Sequence, residues 1–312
     1  MVNTPVLYMT FARSEYARES WNAIKNAEPK TLYFYSNKAR IDNAKEVEEN
    51  EIIRSFVKEI DWDCDLHVWF REEYVDVYQS LLGAKKWIFE TEKKAIFIEE
   101  DCVASSNFFN FCDYFLDYYE KDKRVGFITG NNYSDNYSHG RQDHFLCHSI
   151  HHFGWATWKD RWDMIDWNIN PEDLTHSLKI IKYFKGDIWL GLYYTLLYRD
   201  LTPFILKTRC WDYVKVLNQF KMRQYAVVPK YNLVKNIGIS GVHTANGRSL
   251  EFTTSNNSSL DEYPFFRSQP VKPEIAFDIC ESSNEGIRNK KEIIKRIFYL
   301  LKRKAKHIFY IV

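Results

Sequence analysis

The chain has 312 residues, 45% of them hydrophobic, enough for one large α/β domain or two small ones around a well-buried core. Its 43 basic and 42 acidic side chains nearly cancel, leaving a formal charge of +1, so the overall balance points away from a nucleic-acid partner or an acidic substrate. The six cysteines (Cys64, Cys102, Cys112, Cys147, Cys210, Cys280) form no CxxC pair, which argues against a disulfide framework or a zinc ribbon and fits free thiols in a reducing, cytoplasmic setting.

In chain order, the first apolar stretch, from Val6 to Ala12, is broken by Thr10 and closed by Arg13, so it reads as a strand and not as a secretion signal. Strands are expected at 6–11, 31–35, 67–70, 94–98 and 124–129, with helices at 15–25, 44–60, 75–91 and 108–121 between them. Ser14 and Asn43 stand where the first two helices need caps. That alternation predicts a parallel sheet with crossover helices, a Rossmann-like half spanning 1–130. A second half, 131–250, opens with a polar loop over 131–152 and continues through a tryptophan-rich stretch, helical patterns at 174–184 and 188–199, and a strand at 225–228. The apolar run from Ile188 to Tyr198 is about half of the ~20 residues that a membrane span requires. An extension, 251–289, holds Pro264, Pro270 and Pro273 among serines and asparagines. The tail, 290–312, interleaves eight Lys or Arg with apolar residues at spacings of three and four, which predicts a basic amphipathic helix on an anionic membrane surface or docked on the protein itself.

The most specific chemical signal is Glu99-Glu100-Asp101 at the end of the apolar run Ile96-Phe97-Ile98. Adjacent anions repel, and beside a buried strand they need a cation or a donor network. At the carboxyl end of a central strand they would suit a hard divalent ion shared with a diphosphate; otherwise they form a solvated turn. Asp212, between Trp211 and Tyr213, is a candidate base for a hydroxyl proton, with a helix cap as its plainer role. Trp155 could stack on a sugar ring or anchor the core with Trp158, and Gly154 would let the backbone approach a ligand. The group His144, Cys147, His148, His151 and His152 has no second ligand pair, so a pocket-lining loop is preferred to zinc.

Glu99-Glu100-Asp101-Cys102, followed by Asn107-Phe108-Phe109, resembles the Glu-Asp-Asp and Phe-Phe pattern of GT-A glycosyltransferases related to the N-acetylglucosaminyltransferase I type, and of a bacterial family of haemolytic-protein-like sugar transferases. Phe11-Ala12-Arg13-Ser14, Asp61-Trp62-Asp63-Cys64, Phe70-Arg71, Gly130-Asn131-Asn132, Gly154-Trp155-Ala156-Thr157-Trp158, Trp211-Asp212-Tyr213 and Asn232 to Gly238 follow in that family's order, over roughly residues 5 to 250. The resemblance implies an α/β GT-A fold and an inverting transfer of a hexosyl or N-acetylhexosaminyl group from a nucleotide-sugar donor, UDP favoured, to a glycan or lipid-linked glycan in surface polysaccharide assembly. It further implies Asp101 and His243 as ligands of Mn²⁺ or Mg²⁺, and Asp212 as catalytic base. Phe11, Arg13, Asn37, Glu99, Glu100 and Trp155 would contact the donor. Glu100 departs from the more usual Asp, and Asn37 stands where an Asp commonly accepts a bond from uracil. A sugar nucleotidyltransferase would share the fold, but Phe11 to Ser14 lacks its glycine-rich phosphate loop. A non-enzymatic membrane-binding or lytic protein would account for the tail and leave the carboxylates unused.

Overall fold

The computed structural model describes residues 1–132, 144–148, 151–168, 174–184, 187–208, 211–238 and 290–309. His243, Cys210, Cys280, the extension over 251–289 and the last residues of the tail lie outside the described residues. The chain is an α/β protein built on a mostly parallel, Rossmann-like sheet of eight strands.

The sheet begins β1 (Val6–Thr10), β2 (Thr31–Ser36), β3 (Asp65–Phe70) and β4 (Lys94–Glu99). The largely apolar runs of β1, β2 and β4 are what strands covered on both faces require, while β3, at the edge of the sheet, is partly exposed along its length. All four are parallel, and β1 lies between β2 and β4. After β5 (Cys102–Ala104), the sheet gains β6 (Val125–Thr129), β7 (His144–Cys147), β8 (Trp155–Trp158) and β9 (Tyr225–Pro229). The order is β3-β2-β1-β4-β8-β6-β9-β7. β8 runs antiparallel between β4 and β6, β9 runs parallel to β6, and β7 runs antiparallel at the edge. The strands after residue 130 therefore complete the same sheet as those before it, so the two expected halves share one layer.

Helices α1 (Ser14–Ala27), α2 (Ala44–Ser55), α3 (Val77–Ile88) and α4 (Ser106–Tyr118) follow the first strands. Asn43, Asp76 and Ser105 cap the last three by accepting from the backbone N–H of Glu46, Gln79 and Phe108. Asp76 explains why the third helix starts later than its apolar pattern predicts. Ser14 is not a cap: it is the first helical residue, and its N–H donates to Glu49 at 2.6 Å. The second helix ends at Ser55 and tightens into a 3₁₀ turn over Phe56–Glu59.

Beyond the first half come α5 (Lys159–Asp163), α6 (Leu174–Tyr183), α7 (Ile188–Thr208), α8 (Trp211–Met222) and α9 (Lys290–Phe309). Among the described residues no helix is long and apolar enough to cross a membrane. Side chains alternate across the sheet. Leu7, Tyr33, Phe97 and Trp155 face one core with α3, α7 and α8. Val6, Tyr8, Phe34 and Ile98 face the other with α1 and α4.

Four short strands were not expected from the sequence, β5 among them. β7 lies inside the expected loop, the tryptophan-rich stretch supplies β8 over Trp155–Trp158, and β10 (Val234–Asn236) pairs antiparallel with β5. Gly154 turns into β8 at φ +74°, and a Cβ there would stand 2.7 Å from a Val234 methyl carbon. The close approach that glycine permits is thus to β10.

Candidate functional site

The first turns of the site are the loops after β1, β2 and β4, at the carboxyl edge where the chain order reverses around β1. Such a switch point is where open α/β sheets bind ligands. Asn50 on α2, buried, joins two of these loops: its amide donates to the carbonyls of Phe11 and of Asn37, the latter at 2.9 Å. Ser20 on α1 donates to the Glu100 carbonyl at 2.9 Å and holds the third.

Arg13 joins the carboxylates. Its Nε donates to Glu100 Oε1 at 2.6 Å and its Nη2 to Asp101 Oδ2 at 3.0 Å, while the Phe11 N–H donates to Glu100 Oε2 at 2.6 Å. Both Glu100 oxygens are therefore engaged. Burial pushes the Glu100 carboxyl up, against the opposing pull of Arg13. Burial also works against the Arg13 charge, but Glu100 and Asp101 outweigh it and hold the guanidinium firmly protonated. Asp101 is the more open carboxylate, with 15% of its side chain exposed against 4% for Glu100.

Behind this pair lies a second charge cluster that the sequence reading missed. Lys85 on α3 is fully buried, and its Nζ sits 4.1 Å from the centre of the Trp211 ring, with no hydrogen-bond acceptor among the described residues. Burial draws its ammonium down to about 8, against the attraction of Glu99 and Asp212. Glu99 is pushed up to about 7, chiefly by burial, with Lys85 opposing and Asp101 and Asp212 adding. A carboxyl in that range can hold or release a proton near neutrality. Lys215 on α8 is buried too, 3.2 Å from the centre of the Trp155 ring and 3.9 Å from that of Phe127. Burial and then Lys85 depress its ammonium. His152 packs 4.8 Å from Trp211 and is kept neutral by burial and by Lys215. Among the described residues the Trp155 Nε1, His152 Nε2 and Lys215 Nζ atoms, like Lys85 Nζ, have no hydrogen-bond partner.

The structure brings Phe11, Arg13, Glu99, Glu100, Asp101 and Asp212 to one edge. Asp212 is the second residue of α8, inside the helix and not before it as a cap would be; its carboxylate accepts from the Tyr213 N–H at 2.9 Å and interacts electrostatically with Glu99 and Lys85. Phe11 packs against Tyr74, with ring centres 6.0 Å apart and Tyr74 46% exposed.

Two other expectations change. Asn37 is buried with its amide spent internally: Oδ1 accepts from the Lys38 N–H at 3.0 Å and Nδ2 donates to the Val75 carbonyl at 2.8 Å, so it ties loops together and its oxygen is not open to a base. Trp155 is fully buried, its ring 4.4 Å from Phe97, which makes it a core anchor and not a sugar platform. His243 lies outside the described residues. Gly238, the last described residue before it, packs so closely on the Asp101 carboxylate that a Cβ would collide with it.

Among the described residues no group of three or more His, Cys, Asp and Glu side chains is gathered for a metal ion. The donors fit a hard cation only where a ligand supplies most of the oxygens, as Mg²⁺ sites of one or two carboxylates with phosphates do. Asp101 comes nearest to offering such a carboxylate: its Oδ2 takes Arg13, and among the described residues its Oδ1 accepts only a thiol contact from Cys102 at 3.5 Å.

No protein-family model matches the chain, and no curated protein does. Among solved structures, the crystal structure of HddC from Yersinia pseudotuberculosis is similar over 51% of this chain and 78% of its own, with a TM-score of 0.30 and 12% identity. A likeness at that level bears on neither family nor activity.

Proposed function

We propose that the chain is a GT-A type glycosyltransferase of the haemolytic-protein-like kind. It would move a hexosyl or N-acetylhexosaminyl group from a nucleoside diphosphate, UDP before others, to a hydroxyl of a glycan or lipid-linked glycan. The setting would be surface polysaccharide assembly at the cytoplasmic face of a membrane. The observation that carries this reading is the meeting of Arg13, Glu100 and Asp101 at the switch point, with Asp212 drawn in from the later half of the chain beside Glu99 and Lys85.

The loop rings of Phe11 and Tyr74 favour a nucleobase at the rim, where aromatic faces stack. Arg13 is charged at every working pH, and with 32% of its side chain exposed it would face a phosphate of the donor while holding its two carboxylates. Mn²⁺ or Mg²⁺ would be held by Asp101, with His243 by resemblance, and would offset charge on the departing diphosphate. Asp212 would take the acceptor hydroxyl's proton as oxygen attacks the anomeric carbon from the face opposite the diphosphate, which inverts configuration. Lys85, which attracts both Asp212 and Glu99, would offset part of the repulsion between the two carboxylates.

The test is binding and turnover across a panel of nucleotide sugars, with Mn²⁺ or with chelator. One donor should bind only with metal, lose binding in Asp101→Ala, and keep binding without turnover in Asp212→Asn. Failure of every nucleotide sugar to bind would end the transferase reading, and a product of retained configuration would end the single-displacement mechanism.

A further inference from the structure

Helix α9 carries two apolar stripes, and the fold uses one of them. Ile293, Ile297 and Leu300, at spacings of four and three, are buried against α7. Arg296 donates to the Tyr193 hydroxyl at 3.4 Å and Arg303 pairs with Asp200 at 3.3 Å. Both contacts step forward together along the two helices, so α9 and α7 run parallel with the inner stripe fixed in register.

The second stripe, Ile294, Phe298 and Leu301, repeats the same spacing one residue later, rotated by about 100°. Ile294 is half-buried, but Phe298 is 60% and Leu301 46% exposed, and the neighbouring Tyr299 is 60% exposed. Lys291, Lys295 and Lys302, all exposed, run along its border. Scattered single apolar side chains on a surface need no explanation, whereas a periodic apolar stripe beside a periodic lysine stripe does. At the start of α7, Ile188 is 65% and Trp189 37% exposed, at the same end of the helix pair as Lys290 and Lys291.

We propose that the outer face of α9 docks on an anionic lipid bilayer, the helix lying in the interface with Ile294, Phe298 and Leu301 against the acyl boundary and Lys291, Lys295 and Lys302 among the headgroups. The charge pattern selects this occupant. From 290 to 303 there are six basic residues against Glu292, and the two arginines turn toward α7, so the lysines are left to face outward. Anionic headgroups attract such a stripe, and lysine stems reach past an apolar face to present their charge at that level. Because the inner stripe holds α9 to the body, docking on the outer stripe would tether the whole protein without unfolding the helix. The surface stands apart from the carboxylate site and does not depend on the transferase reading.

The experiment is co-sedimentation of the full chain with phosphatidylcholine vesicles, with and without phosphatidylglycerol, at low and high salt. The protein should sediment with the anionic vesicles only, and less at high salt. Replacing Lys291, Lys295 and Lys302 by Gln should weaken partition by about five-fold per lysine, on the order of a hundred-fold together. Phe298→Ser with Leu301→Ser, at unchanged charge, should also release the protein. Both variants keep Ile293, Ile297 and Leu300 and should melt like the wild type. The proposal is overturned if the wild type stays in the supernatant, if either variant sediments as the wild type does, or if the Phe298→Ser, Leu301→Ser change dissolves a dimer and leaves lipid binding intact.

Discussion

Arg13 answers two carboxylates, so its removal is asymmetric. Arg13→Ala strands Glu100, which is nearly fully buried, and should cost on the order of 2 kcal/mol in urea unfolding; Glu100→Gln, which keeps the hydrogen-bond geometry and removes the charge, should cost less. Lys85 gives a pH signature. Its folded value of about 8 lies below the ordinary 10.5, so the folded chain binds this proton more weakly than the unfolded one. Its contribution to stability is fully present above 10.5 and is lost as the pH falls toward 8, and Lys85→Met should flatten that slope in urea titrations across the window. The carboxylate run at 99–101 could be read in the sequence because strand-terminal anions are conspicuous, and Arg13 became readable only through resemblance. Lys85, Lys215 and Asn50 could not be found by residue type: each sits on a helix, where lysine and asparagine ordinarily face water, and only packing turns them inward.

At the scale of elements, β10 and α9 are the two late pieces that hold early ones. Gly154→Ala would put a methyl against Val234 in a left-handed conformation, and should lower the thermal midpoint by more than the removal of a surface contact would, with β10 the first segment to lose hydrogen-exchange protection. Ile297→Ala should cost α9 about 2–5 kcal/mol of docking and expose it to proteolysis before the sheet opens. Long periodic helices and buried parallel strands were legible because their patterns run for several turns or residues. The helix starting at Val77 shows the limit: the apolar pattern begins earlier, but the Asp76 cap decides the boundary. β7, β8 and β10 escaped because each has only three or four residues, and pairing with distant strands, not local pattern, makes them strands.

At the scale of the molecule, the carboxylate edge belongs to the entire sheet. Arg13, Glu100 and Asp101 all lie within the first 132 residues, but β4 needs β8 as its neighbour and β5 needs β10. A fragment of residues 1–132 should therefore aggregate or remain loosely folded, as read by its proton spectrum and by sizing, despite holding three of the main site residues. The β5 to β10 pairing also sets a clock. Glu100 and Asp101 leave the ribosome well before Val234 to Asn236, and at ordinary synthesis rates the gap is on the order of ten seconds. Throughout that interval β5, directly after Glu100 and Asp101, lacks its partner strand, so the nascent chain is most in need of a chaperone while its future site is half built.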